Sequence, residues 1–174
     1  MQTNWIYSYF ENCFLLLVPI LLWNIILAGR LPKAYSAEIF SKDIPPFTDY
    51  GEKIFRFFVF ALSAFMPIRI ETQSQKIGLG LYLAGTIIYF LSWLVLIYFP
   101  QTDWSLSAFG FSAPAYTPLI WLAGIGLIGG TLYFSSPYRS WMYFTLSIIF
   151  IGFHLSHILL VYLKNIKQPS NSNI

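Results

Sequence analysis

Charge is what this sequence lacks most. Asp, Glu, Lys and Arg together make up only 10% of its 174 residues, whereas a soluble domain carries about a quarter. A water-facing surface cannot be covered from so few. Ten basic residues against seven acidic ones leave a net charge of +3, and the basic residues form no stripe that would follow a phosphate backbone, which excludes nucleic acid as a partner. Cysteine is confined to Cys13, inside an apolar run. That excludes an intrachain disulfide and a thiolate metal set. Histidine occurs twice, at His154 and His157, with no HExxH pattern. The start of the chain lacks the basic region and small-residue cleavage pattern of a signal peptide, so the first apolar segment is expected to be retained. No targeting signal stands out.

Apolar side chains fill the deficit. They account for 57% of the sequence, and aromatic residues for 20%, including six Trp and twelve Tyr. The surplus apolar surface is expected to face lipid, with Trp and Tyr anchoring at the headgroups. The fold class is therefore all-α: a polytopic transmembrane helix bundle of about five spans in a single domain, residues 1–167. The spans are expected at about 5–28, 50–67, 77–99, 118–134 and 141–163, each near the ~20 residues that cross a bilayer. Residues 168–174 read as a disordered polar tail. Gly29-Arg30-Leu31-Pro32 ends the first span, and Pro19 is expected to kink it. Leu31, Tyr35 and Ile39 recur at helical spacing, predicting a short interfacial helix before Pro45-Pro46. Asp49 followed by Glu52 reads as a capping box for the second span. The six residues from Ser135 to Ser140 force the last two spans into an antiparallel hairpin.

Orientation follows from the positive-inside rule. With five spans, Arg30, Lys33, Lys42, Lys53, Arg56, Lys164 and Lys167 share one side and Arg69, Lys76 and Arg139 the other, seven against three. The N-terminus is then outside and the C-terminus inside an inner or plasma membrane. The alternative has four spans and a re-entrant second segment, splits eight against two and leaves both termini outside. Five spans are preferred because FFVFALSAFM, left out of the membrane, would expose much apolar area.

His154 and His157, spaced i, i+3, lie on one helix face and are the first functional candidates. Two imidazoles there would serve a metal site, hold a cofactor edge or relay protons, although two ligands do not complete a metal site. The plainer alternative is hydrogen bonding to neighbouring helices. With five spans, Asn24, Arg56 and His157 fall at one inner level, suited to an anionic headgroup or carboxylate, with His154 a turn deeper. Glu11 lies towards the outer face, about 10 Å too far along the membrane normal to pair with His154. With four spans the last helix reverses, and Glu11 approaches His157 as an acid–imidazole pair.

Residues 100–118 are expected to fold back onto the bundle, with Trp104, Phe109, Phe111 and Tyr116 lining a pocket or forming a lid. Gly124, Gly126 and Gly129 match GxGxxG, but inside a span and without a preceding strand, so nucleotide binding is discarded. Gly126 with Gly130, and Gly80 with Ala84, read as small-residue helix contacts. The leading functional expectation is binding or passage of a small apolar or amphipathic ligand, or of a lipid, by Asn24, Arg56, Trp104, Tyr116, His154 and His157. The alternatives are a structural or assembly subunit with homo-oligomer or membrane-complex partners, and a membrane-embedded enzyme using His154 and His157. No cofactor is specified by these residues.

Overall fold

The structure, a computed structural model, describes residues 11–135 and 137–167. The expected tail and the first six residues of the expected first span lie outside the described residues. Within them the fold is all-helical, with no strand and one isolated antiparallel bridge, Asn12 to Pro67. Three helices are apolar and long enough to cross a membrane: α1 (Cys13–Arg30), α4 (Gln73–Tyr98) and α8 (Ser140–Asn165). Two further helices complete the bundle, α3 (Pro46–Ala64) and the shorter apolar α7 (Ala113–Ile128). Three single turns cover one end: α2 (Ala37–Phe40), α5 (Asp103–Leu106) and α6 (Ala108–Phe111).

Local chemistry sets the boundaries. The Asn12 side chain accepts from Phe14 N at 3.1 Å and starts α1 as a 3-10 turn, Cys13–Leu17. Regular α-helix begins at Val18, so Pro19 falls in its first turn, where a missing N–H leaves no hydrogen bond broken. The chain thus changes helix type at Pro19, where a kink inside one continuous helix is the sequence expectation. At α4, Thr72 and Gln75 form a capping box, with Gln75 Oε1 accepting from Thr72 N at 2.9 Å. The box expected at Asp49 and Glu52 does not form. Helix α3 starts three residues before Asp49, with Pro45 as its N-cap, which leaves Glu52 inside the helix and buried. Helix α7 stops at Ile128, short of Phe134, because Gly129 and Gly130 unwind it under the Met66 side chain. No continuous interfacial helix follows α1 either. A 3-10 turn at Lys33–Tyr35 and the single turn α2 take its place, since Tyr35 and Phe40 turn into the bundle.

Five helices run alternately between two ends. Gly78 of α4 lies against Gly124 and Ile128 of α7, and Gly85 against Trp121, which makes the pair antiparallel and backbone-close. Gly51 of α3 faces Phe153 of α8, while Phe65 and Phe134 meet edge-on at 5.9 Å at the opposite end. Helix α8 also packs on α7 as the expected hairpin partner. At one end the backbone is stitched by Cys13 N to Met66 O at 2.8 Å, Ile68 N to Glu11 O at 3.0 Å and Tyr133 N to Phe65 O at 3.1 Å. The other end is closed by α2, α5 and α6. Tyr35 Oη donates to the Phe111 carbonyl and Tyr162 Oη to the Leu106 carbonyl at 3.1 Å. Residues 100–118 therefore do fold back, with Phe111 and Ala115 in a small core beside Ile158 and Val161.

Of the expected contact glycines, Gly126 lies tight against α8, where an added Cβ would sit 2.5 Å from the Phe144 ring, while Gly130 has only Ser140 Oγ at 3.8 Å. Gly78, Gly85 and Gly124 mediate the α4–α7 approach, whereas Gly80 has open space around it and Ala84 is exposed. A Cβ at Gly124 would sit 2.5 Å from Tyr82 N, a backbone atom that cannot swing aside. Gly124→Val should therefore lower stability by at least about 1–3 kcal/mol, as overpacking does, while Gly80→Ala should leave it unchanged. Thermal unfolding of both variants in one detergent checks this; equal melting would contradict the α4–α7 register.

Candidate functional site

Glu52 is the centre of a polar cluster between α3 and α8. It is 3% exposed. His154 Nδ1 donates to its Oε1 at 3.0 Å, and His157 Nδ1 donates to its Oε2 at 2.7 Å. Arg56, one turn along α3, donates from Nη2 to the same Oε1. His157 is 4% exposed, donates from Nε2 to the Phe40 carbonyl at 2.9 Å and stacks on the Phe40 ring at 4.3 Å. The placement follows helix geometry, since residues three and four apart share a face. His154 and His157 on α8 thus meet Glu52 and Arg56 on α3.

Buried charge of this kind survives only when every polar atom is answered. Both Glu52 oxygens have partners, and so do both His157 nitrogens. Imidazole tautomers follow from the bonds they must make. Because His154 Nδ1–H is spent on Glu52, its Nε2 carries the lone pair. His154 lines a cavity of about 490 Å³, and among the described residues nothing hydrogen-bonds that Nε2. A carboxylate behind an imidazole whose second nitrogen is left available orients that ring towards a bound molecule and sets which nitrogen can take a proton.

The cavity runs between α1 and the rest of the bundle. Leu17, Ile20, Phe60, Phe150 and Ile158 make apolar walls, and Pro114 and Pro118 close the end covered by α5 and α6. Its polar lining is Asn24, Tyr35, Arg56, Tyr89 and His154, together with the indoles Trp93 and Trp121. Tyr89 Oη donates to Asn24 Oδ1 at 2.6 Å. Burial pushes the Tyr35 phenol well above its ordinary range, so it stays neutral while donating to Phe111. Trp121 is 4% exposed, and its Nε1–H has no acceptor among the described residues. Trp93 Nε1–H also lies buried, beside the Tyr89 phenol but outside hydrogen-bonding geometry.

Three of the six residues singled out from the sequence, Asn24, Arg56 and His154, meet in this cavity. His157 sits behind His154, joined to it through Glu52. Trp104 and Tyr116 are elsewhere, in an outward-facing groove between α4 and α7 with Ile88, Leu91 and Leu119. Glu11 is not the acid partner of the histidines. Its backbone belongs to the stitched end, bonded by Ile68 N and Tyr133 Oη, while the histidines lie near the end closed by Phe40. The missed residue is Glu52. Its signal was the i, i+4 pair with Arg56 on a face continued by Val59 and Ser63, all buried or part-buried, but an acid at a span's beginning also reads as a cap. No group of three or more His, Cys, Asp or Glu suited to a metal occurs among the described residues.

Comparison with known proteins finds no matching family model, no matching curated protein and no matching solved structure.

Removing Glu52 would leave His157 and Arg56 without their buried acceptor. Glu52→Ala should cost about 3–5 kcal/mol of stability, the usual result of breaking a buried ion pair from one side. Lys53→Ala, at the exposed 2.7 Å pair with Asp49, should cost about 0–1 kcal/mol. Thermal unfolding in detergent distinguishes the two; a Glu52→Ala protein as stable as Lys53→Ala would remove the cluster from any structural role.

Proposed function

We propose that this chain is a multi-pass integral membrane protein that crosses the bilayer five times and holds a small amphipathic ligand in the cavity bounded by α1, α3 and α8. The observation that carries this reading is the cavity itself. Apolar on most sides, it brings Asn24, Arg56 and His154 to a few places on its wall, the composition that binds small amphipathic molecules.

Surface chemistry supports the membrane part. Leu22, Ile25 and Ile26 of α1, Leu83, Ile87 and Leu91 of α4 and Ile148 of α8 are all more than half exposed. Exposed apolar bands around mid-helix suit hydrocarbon and would aggregate in water. The five alternating helices, α1, α3, α4, α7 and α8, support five crossings, with α3 and α7 short enough to need local thinning or snorkelling side chains. Seven basic residues at the α2 side and three at the stitched side support an inside C-terminus.

A groove beside the cavity suits arrival from lipid. Helices α1 and α3 approach closely at the Cys13–Leu17 turn. Below it a groove lined by Phe14, Lys53, Phe57, Ala61 and Ala64 shares Arg56 and Phe60 with the cavity.

Two measurements test the proposal. A phosphatase fused to the C-terminus should be inactive and a fluorescent protein at the same point bright; the reverse pattern contradicts the orientation. Wild-type protein extracted directly into nanodiscs should retain a small molecule visible by native mass spectrometry, and Ala28→Phe, which fills the cavity, should lose it. Equal retention by both forms would move the ligand elsewhere.

A further inference from the structure

The polar cluster carries one more positive charge than negative. His157 Nδ1 faces a Glu52 oxygen at 2.7 Å and His157 Nε2 faces the Phe40 carbonyl at 2.9 Å, and both neighbours are acceptors. Each short contact therefore needs its own proton, while a neutral imidazole supplies one. The second proton rests either on the imidazole, beside a carboxylate, or on Glu52, beside a neutral ring. With Arg56 included, both placements leave the group at one positive charge. His154 adds none, since Nδ1–H to Glu52 is satisfied by the neutral ring.

Among the described residues no carboxylate other than Glu52 forms an ion pair with the cluster. Asp49, one turn before Glu52, is matched by Lys53 at 2.7 Å. The other elements around the cavity contribute neutral groups, Asn24 from α1, Tyr35 from the loop, Tyr89 and Trp93 from α4 and Trp121 from α7. No acidic residue lines the cavity among the described residues. The Arg56 side chain is 42% exposed, so the surplus positive charge is presented at the cavity wall and in the neighbouring groove, where an anionic group can answer it.

We infer, building on the reading that the cavity holds an amphipathic ligand, that this ligand is a single-chain amphiphile ending in one carboxylate, such as a fatty acid. Arg56 meets the headgroup, and Leu17, Ile20 and Phe150 enclose the chain. Arg56 and the Asn24 amide N–H supply donors, His154 Nε2 is an acceptor, and no carboxylate lines the cavity among the described residues, so acceptor oxygens of a ligand belong at Arg56. One surplus positive charge matches a monoanion; a phosphate monoester dianion would leave a negative charge buried. Arg56 also lines the lateral groove, so an incoming carboxylate meets its partner before the chain leaves the lipid.

The test uses full-length protein in nanodiscs of phosphatidylcholine, stripped of retained ligand, with empty nanodiscs as the partition reference. Tryptophan fluorescence and displacement of radiolabelled palmitate report binding. Palmitate should bind saturably, and hexadecanol, with the same chain and no charge, at least about tenfold more weakly, the loss expected for charge-assisted hydrogen bonds. Arg56→Gln should weaken palmitate about tenfold or more and leave hexadecanol unchanged. Hexadecanol binding as tightly as palmitate overturns the headgroup assignment while leaving amphiphile binding intact. Hexadecyl phosphate binding more tightly than palmitate overturns the match to a single charge. No saturable binding of any of the three overturns this inference together with the cavity's role in ligand binding. Should Arg56→Gln fail to fold, the wild-type comparison of palmitate with hexadecanol decides alone.

Discussion

A single buried carboxylate organises the half of the bundle where the chemistry lies. Glu52 accepts from two imidazoles on α8 and a guanidinium on its own helix, and each bond fixes a different relation. The histidine bonds hold α3 and α8 at one rotation about their axes, because only one face of each carries these groups. The bond from His157 to the Phe40 carbonyl then brings the α2 turn down over that end. Such a cluster is poor as a source of net stability, since desolvating its charges offsets most of their attraction. Its effect is selective instead: any other packing of α3 on α8 leaves a charge in an apolar setting without a partner.

The rest of the bundle is held by contact at close range. Glycine at 78, 85 and 124 lets α4 and α7 approach until backbones touch, a distance at which dispersion between the two helices is strong. Helix α1 is held differently. It is tied by the Cys13 and Met66 backbone bond at one end and stacks Trp23 on Phe90 at 4.0 Å further along. Beyond the Cys13–Leu17 turn α1 has little contact with α3. Close packing on one side of the molecule and wide packing on the other leave an interior space of about 490 Å³, and the Glu52 cluster happens to form one of its walls.

Cluster and cavity together separate two tasks. In the proposed ligand site the walls select by shape and apolar area, while Arg56 and His154 supply the charge and the available imidazole nitrogen among the described lining residues. Glu52 holds both groups in place from behind and does not itself line the space. A site arranged in this way keeps its polar groups oriented whether or not a molecule is present, which limits the reorganisation needed on binding.

Composition and periodicity alone determined that the chain is helical, that its helices are apolar on most sides, and approximately where they run, because a shortage of charge and runs of apolar residues act locally. They also drew attention to Asn24, Arg56, His154 and His157, since ionisable or amide groups in such runs are conspicuous. Only tertiary structure decided what those residues do. It supplied Glu52 as the common partner, moved Trp104 and Tyr116 to a separate groove, left Glu11 at the far end, and chose Gly78 over Gly80 for the close contact. Each of these depends on which face of one helix meets which face of another, far apart in the chain, and the spacing of residues within a single helix carries no information about its neighbour's rotation.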